Sequence, residues 1–175
     1  RFFFTRSTPS SPSQLYFWNG KIEEAWSPGG KAQSIACGPA PTFHTLPARI
    51  AEGIPALQYL PRVADASTPF VVWVHGGPDE QARPEFDPAI SYLVSRGYGV
   101  LALNPRGSSG YGRGYERYDN GSSRAGIAED LTGAAQWIRA ERKNTSLPVF
   151  LFAKGSGAWL GAQALASQPE MFRGM

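Results

Sequence analysis

The chain of 175 residues holds a single cysteine, Cys37, and two histidines, His44 and His75. One cysteine excludes a disulfide scaffold and a Cys-based zinc site within the chain. Two histidines are too few for a His-rich metal centre, so neither a metal nor a cofactor is expected. No apolar run approaches the ~20 residues of a membrane span, and no membrane association is expected. Charge of one sign is also scarce, with 17 Lys+Arg against 14 Asp+Glu. Arg113, Arg117, Arg124, Arg139, Arg142 and Lys143 interleave with Glu116, Asp119, Glu129, Asp130 and Glu141. A nucleic-acid surface shows a basic stripe without such interleaving, so no nucleic-acid partner is expected. No basic–apolar–small leader is present, and the chain opens on Arg1, so more sequence is expected upstream.

What is present suffices for a core: 42% apolar and 13% aromatic residues. Residues 1–45 read as a few β-strands. Phe2 to Arg6 and Gln14 to Trp18 are two of them, with the turn-rich Ser7 to Pro12 between and the hairpin signal Asn19-Gly20 after. Ser27 to Gly30 and Gly38 to Pro41 are further breakers. So few strands bury no core alone and are expected to complete another β unit. Residues 46–175 follow a different grammar. Ala56 to Leu60 reads as an early or edge strand. Phe70 to Val74, Tyr98 to Leu103 and Val149 to Ala153 are continuous apolar runs, as in strands buried on both faces. Helices are expected over Pro88 to Arg96, Ile127 to Arg142 and Trp159 to Ser167. Strands alternating with helices imply an α/β fold on a parallel sheet.

Three loops follow the buried strands, at the sheet edge where α/β folds bind ligands. His75-Gly76-Gly77-Pro78 lets the backbone approach a ligand and offer its N–H groups. Asn104-Pro105-Arg106-Gly107-Ser108-Ser109-Gly110-Tyr111-Gly112 is a Gly/Ser loop whose Arg106 is expected to pair with an acid such as Asp130. Ala153-Lys154-Gly155-Ser156-Gly157-Ala158-Trp159 joins strand to helix, where a nucleophile elbow would sit. An elbow needs small residues two before and two after its nucleophile. With position 155 central the flanks are Ala153 and Gly157; with position 156 central they are Lys154 and Ala158. The first register sets Gly155 at the nucleophile position, with Ser156 N–H next in line for an oxyanion; the second makes Ser156 the nucleophile. Gly155, Gly157 and Gly161 also read as a dinucleotide-type loop, although such loops usually follow the first strand of their fold.

Together these loops resemble the prolyl oligopeptidase family of serine peptidases, its acylaminoacyl-peptidase branch in particular. The resemblance implies an α/β-hydrolase domain, here its N-terminal part (46–175). It also implies a preceding segment (1–45) similar to the last strands of a β-propeller, with Phe4 to Pro12 carrying the likeness. It implies hydrolysis of short peptides or acyl-peptides through a serine nucleophile, in the cytoplasm, with self-association as a further expectation. Gly77 N–H and Ser156 N–H match the family's oxyanion donors, Gly155 its catalytic serine, and Asp130 an Asp in the helix after the second loop. Tyr111 and Trp159 are the aromatic residues expected to line a substrate pocket. Only 20 residues follow Gly155, and they contain neither His nor Asp. The triad order of this fold places both after the nucleophile. The chain as written is therefore expected to be incomplete and inactive. A non-catalytic binding or scaffold protein of the same fold, and an esterase-like hydrolase using Ser156, stand as alternatives.

Overall fold

The computed structural model describes residues 1–26, 40–77, 80–119 and 125–175. The breakers from Ser27 to Pro39, together with Cys37, Pro78 and Arg124, lie outside the described residues.

Three antiparallel strands open the chain: β1 (Phe2–Thr8), β2 (Ser11–Trp18) and β3 (Ile22–Trp26). The strands run further into Ser7–Pro12 than its turn-rich composition suggests, and only Pro9 and Ser10 separate them. Facing aromatic pairs set the register, Phe2 opposite Trp18, Phe3 opposite Phe17 and Phe4 opposite Tyr16. Such cross-strand pairs are the unit of sheet stabilisation. Phe2, Phe3 and Ile22 nevertheless remain exposed.

A second, five-stranded sheet has the order β4-β5-β7-β6-β8. β6 (Phe70–Val74), β7 (Gly99–Leu103) and β8 (Val149–Ala153) are the three parallel apolar strands. The sheet is mixed rather than wholly parallel. β4 (Thr42–Leu46) and β5 (Ile54–Tyr59) form an antiparallel pair whose β5 runs antiparallel to β7. β5 is therefore interior, which explains its burial, and β4 takes the edge. β4 spans position 45/46 and belongs wholly to this sheet. Phe86 N–H donates to Ser7 Oγ at 3.2 Å, linking the two parts of the chain.

Helices cover both faces. α1 (Pro88–Ser95) starts on Pro88 behind an Asp87 cap, whose carboxylate accepts from the N–H groups of Ala89 and Ile90. It buries Ile90 and Val94 against Val71, Trp73, Val100 and Ala102. α2 (Arg113–Glu116) is a single turn. α3 (Ala125–Glu141) buries Ile127, Leu131, Ala134, Ala135 and Ile138, the stripe expected from the 3.6-residue period. That stripe packs on the opposite face, against Phe70, Val72, Val74, Leu101 and Leu103, together with Ala164 of α4 (Ser156–Ser167). Among the described residues, no helix is long and apolar enough to cross a membrane.

Leu131 is fully buried at the centre of the α3 stripe. Leu131→Ala removes packed methyl groups and leaves a cavity, so denaturant unfolding should show a loss of about 2–5 kcal/mol. A loss below about 1 kcal/mol would mean that α3 does not form the main core contact.

Candidate active site

The parallel register builds the site. Val74 lies opposite both Leu103 and Ala153, so β6, β7 and β8 end at one level. The loops that follow them therefore open side by side at one sheet edge.

The turn after β8 has a particular backbone. Gly155 sits at φ +55°, ψ −133° and caps α4, whose first residue is Ser156. A positive φ with this ψ is strained for any side-chain-bearing residue. A Cβ at Gly155 would meet Gly76 Cα at 3.4 Å and Gly77 N at 3.9 Å, which are ordinary contacts. A Cβ at Gly157 would stand 2.4 Å from the His75 carbonyl oxygen, so only glycine fits there. The elbow and the His75 loop thus approach backbone to backbone.

Ser156 is exposed, and its Oγ accepts the Gly77 N–H at 2.8 Å. Gly77 itself has φ +73°. The hydroxyl oxygen of Ser156 therefore occupies this backbone donor of the facing loop. The structure brings Gly77, Gly155 and Ser156 together; Pro78 of the same motif is outside the described residues.

His75 is buried, with Nδ1 3.1 Å from Gly76 O and Nε2 3.0 Å from Ser108 Oγ. The Ser108 hydroxyl donates to Pro105 O at 2.7 Å. Burial pushes the His75 pKa below its ordinary value; the Gly76 carbonyl and Glu80 pull it up, and Lys154 pushes it down. The ring anchors the second loop to the first.

Arg106 and Asp130 form the pair expected between the second loop and α3. Arg106 N–H donates to Asp130 Oδ2 at 3.0 Å, and Nη2 to Oδ1 at 2.7 Å. The guanidinium also reaches Gly126 O and lies 3.6 Å from Glu129 Oε2. The hydrogen bond to Asp130 holds Arg106 above its usual pKa, while burial pushes the Asp130 carboxyl up against the pull of Arg106. Asn104, buried at the head of the same loop, exchanges hydrogen bonds with the backbone of Ala82, and Tyr115 Oη–H donates to Asn104 O at 2.7 Å.

The three loops enclose a cleft of ≈ 190 Å³ lined in part by Gly77, Arg106, Ile127, Ser156, Trp159 and Leu160. Trp159 is 52% exposed and forms part of this wall. Tyr111 does not. Its ring packs on Tyr115, its hydroxyl accepts from Asn104 Nδ2 at 2.9 Å, and it faces a separate groove with Phe43 and Arg83. Gly110 and Gly112, both at positive φ, turn the chain away on either side of it. Sequence reasoning missed Ile127 and Leu160 as cleft residues, because helical spacing marks them only as apolar. It also missed the Ser108 tie to His75, for which a small polar residue in the loop was the sole signal. Among the described residues, no group of three or more His, Cys, Asp or Glu side chains is placed to hold a metal ion.

The profile of the prolyl oligopeptidase family matches residues 84–175. The chain is 32% identical over 109 residues to dipeptidyl aminopeptidase BIII of Pseudoxanthomonas mexicana, covering 62% of this chain and 16% of that protein. It is 24% identical over 107 residues to acylamino-acid-releasing enzyme 1 of Oryza sativa subsp. japonica, covering 61% of this chain and 14% of that protein. Its fold is that of the Pyrococcus horikoshii acylaminoacyl peptidase, with a TM-score of 0.82 at 22% identity over 98% of this chain and 28% of the other. A puromycin-hydrolyzing peptidase of Mycobacterium tuberculosis gives 0.82 at 24% identity, covering 96% of this chain and 27% of that one. The chain thus spans a small part of the length of each.

Two outcomes test the site's architecture. Asp130→Ala strands the guanidinium of Arg106, and unfolding should show a loss of about 3–5 kcal/mol; a loss under about 1 kcal/mol would reduce the pair to a surface contact. Because His75 binds a proton less readily when folded than unfolded, its stabilising share is present above about pH 6.5 and lost as pH falls through the folded-state pKa. His75→Asn should flatten the pH dependence of the unfolding midpoint below about pH 6.5, and an unchanged slope would remove His75 as its source.

Proposed function

This chain belongs to the prolyl oligopeptidase family, and we propose that its elbow and cleft form the acyl-binding side of a site for short peptides or acyl-peptides, with Gly155 in the nucleophile's place. The observation that carries this reading is the backbone of Gly155. It combines φ +55°, ψ −133° between β8 and α4 with Cβ space opening toward Gly76 and the Gly77 nitrogen. A strained strand-to-helix turn of this kind lifts a nucleophile above the sheet, within reach of backbone donors. In this reading Ser156 N–H is one donor and Gly77 N–H the other, once a ligand oxygen displaces Ser156 Oγ from it, and Trp159 is the aromatic wall of the pocket. The family membership and the relatives named as aminopeptidase and acylamino-acid-releasing enzyme support the substrate class of this reading.

Glycine has no atom with which to attack a carbonyl. Ser156 is the other candidate, and a serine hydroxyl is a weak nucleophile without an adjacent base. Its Oγ accepts from Gly77 N–H, while the His75 nitrogens face Gly76 O and Ser108 Oγ. The open space at Gly155 also favours a second reading, a non-catalytic binder that keeps the family's geometry.

The chain as it stands should hydrolyse neither peptide nor ester substrates above background; turnover that Ser156→Ala abolishes would overturn this. A serine-directed phosphonate should label the Gly155→Ser variant of the full-length protein and leave the parent unlabelled. Absence of labelling in that variant would favour the non-catalytic reading instead.

A further inference from the structure

Two large rings stand open to solvent at one place. Phe43 is 70% exposed and Tyr111 39%, and both line a single groove of ≈ 490 Å³. That volume lies within the range of small-molecule pockets, roughly 300–1,000 Å³. The groove shares no lining residue with the cleft at the elbow. The loop after β7 contributes to both: Pro105 to Ser108 line the cleft, and Tyr111 lines the groove.

The side chains of the groove are held in place. Tyr111 packs on Tyr115, and its hydroxyl oxygen accepts from Asn104 Nδ2, so a ligand ring meets it at little ordering cost. Arg83 Nε donates to Gln81 Oε1 at 2.9 Å, which orients the guanidinium and leaves both Nη groups without an acceptor among the described residues. Gln81 in turn packs over Gly110, where a Cβ would meet its Nε2 at 2.7 Å. Glu52, in the turn between β4 and β5, is the acidic residue of the lining. Among the described residues, neither Arg83 nor Glu52 enters an ion pair.

One groove therefore offers two rings, an unpaired cation and an unpaired anion. A neutral apolar ligand would leave both charges unused. A purely anionic ligand would meet Glu52, and a purely cationic one Arg83. Only a ligand with both charges answers both. Exposed charges contribute little each, so the rings carry the affinity and the charges select.

We infer that this groove is a binding site for a zwitterionic aromatic amino acid, with its ring against Phe43 and Tyr111, its carboxylate on Arg83 and its ammonium on Glu52. The site lies outside the acyl-binding cleft and does not depend on that reading.

An NMR titration of the ¹⁵N-labelled chain with L-phenylalanine tests the inference. Binding should be saturable and should shift the Thr45, Arg83 and Tyr111 amide resonances. L-Alanine, which lacks the ring, should bind at least about tenfold more weakly. N-acetyl-L-phenylalanine lacks the cation and L-phenylalaninamide the anion, and each should bind about threefold more weakly than the zwitterion. Glu52→Gln should erase the preference over the N-acetyl compound, and Arg83→Gln the preference over the amide. No binding of L-phenylalanine, equal affinity for all three ring compounds, or shifts centred on Gly77 and Ser156 would each overturn the assignment. The ligand comparison uses the unsubstituted chain, so it stands whether or not the variants fold. Phosphonate labelling of the Gly155→Ser variant reports on the cleft alone, so the two readings fail independently.

Discussion

The approach of two backbones governs this site. The elbow after β8 comes so close to the loop after β6 that a Cβ at Gly157 would overlap the His75 carbonyl oxygen at 2.4 Å. That contact exists only because β6 and β8 are neighbouring parallel strands in matched register, Val74 beside Ala153. Had the strands been offset by one residue, every alternate side chain would have changed face and the loops would have parted. The absence of a side chain at Gly157 is therefore a packing requirement, and a Cβ at Gly76 would crowd Lys154 O at 3.1 Å. The close approach brings Gly77 N–H within hydrogen-bonding distance of the first turn of α4.

Electrostatics fixes the third wall. A buried carboxylate alone would be costly, and Asp130 avoids that by accepting both a backbone N–H and the guanidinium of Arg106. The bond ties the loop after β7 to α3, whose apolar stripe is itself locked to the sheet. His75 adds a second tie through Ser108. Loop position thus derives from buried polar pairs, and those pairs from the core beneath them. Arg106 and His75 line the cleft, yet their hydrogen-bonding capacity is largely spent inside the protein.

Much of this was legible in the residues. Phe70 to Val74 and Val149 to Ala153 are strands with the boundaries their apolar runs suggest, but only the first is buried on both faces; the second takes a sheet edge and leaves Phe152 exposed. The Arg106–Asp130 pair follows from two unlike charges beside an apolar helix. Other features were hidden for physical reasons. Thr42–Leu46 mixes polar and apolar residues without a clean alternation and is too short to stand out beside the prolines that precede it. The direction of β5 is a matter of topology, which side-chain periodicity does not encode. α4 begins at Ser156, three residues before its apolar pattern, because its first turn is built from small residues chosen for the close approach. Tyr111 carries the right chemistry for a pocket wall, but two flanking glycines at positive φ send it elsewhere.

The same physics explains how the elbow keeps its shape with glycine at position 155. Its donors are backbone N–H groups, held by the sheet register and by glycine contacts, and none of them depends on the side chain at position 155. Glycine there avoids the strain that a Cβ would bear at φ +55°. Stability and geometry therefore impose no penalty on glycine at the elbow, whereas almost any substitution at Gly157 would push the two loops apart. Gly157 is thus the position at the elbow that this architecture can least change.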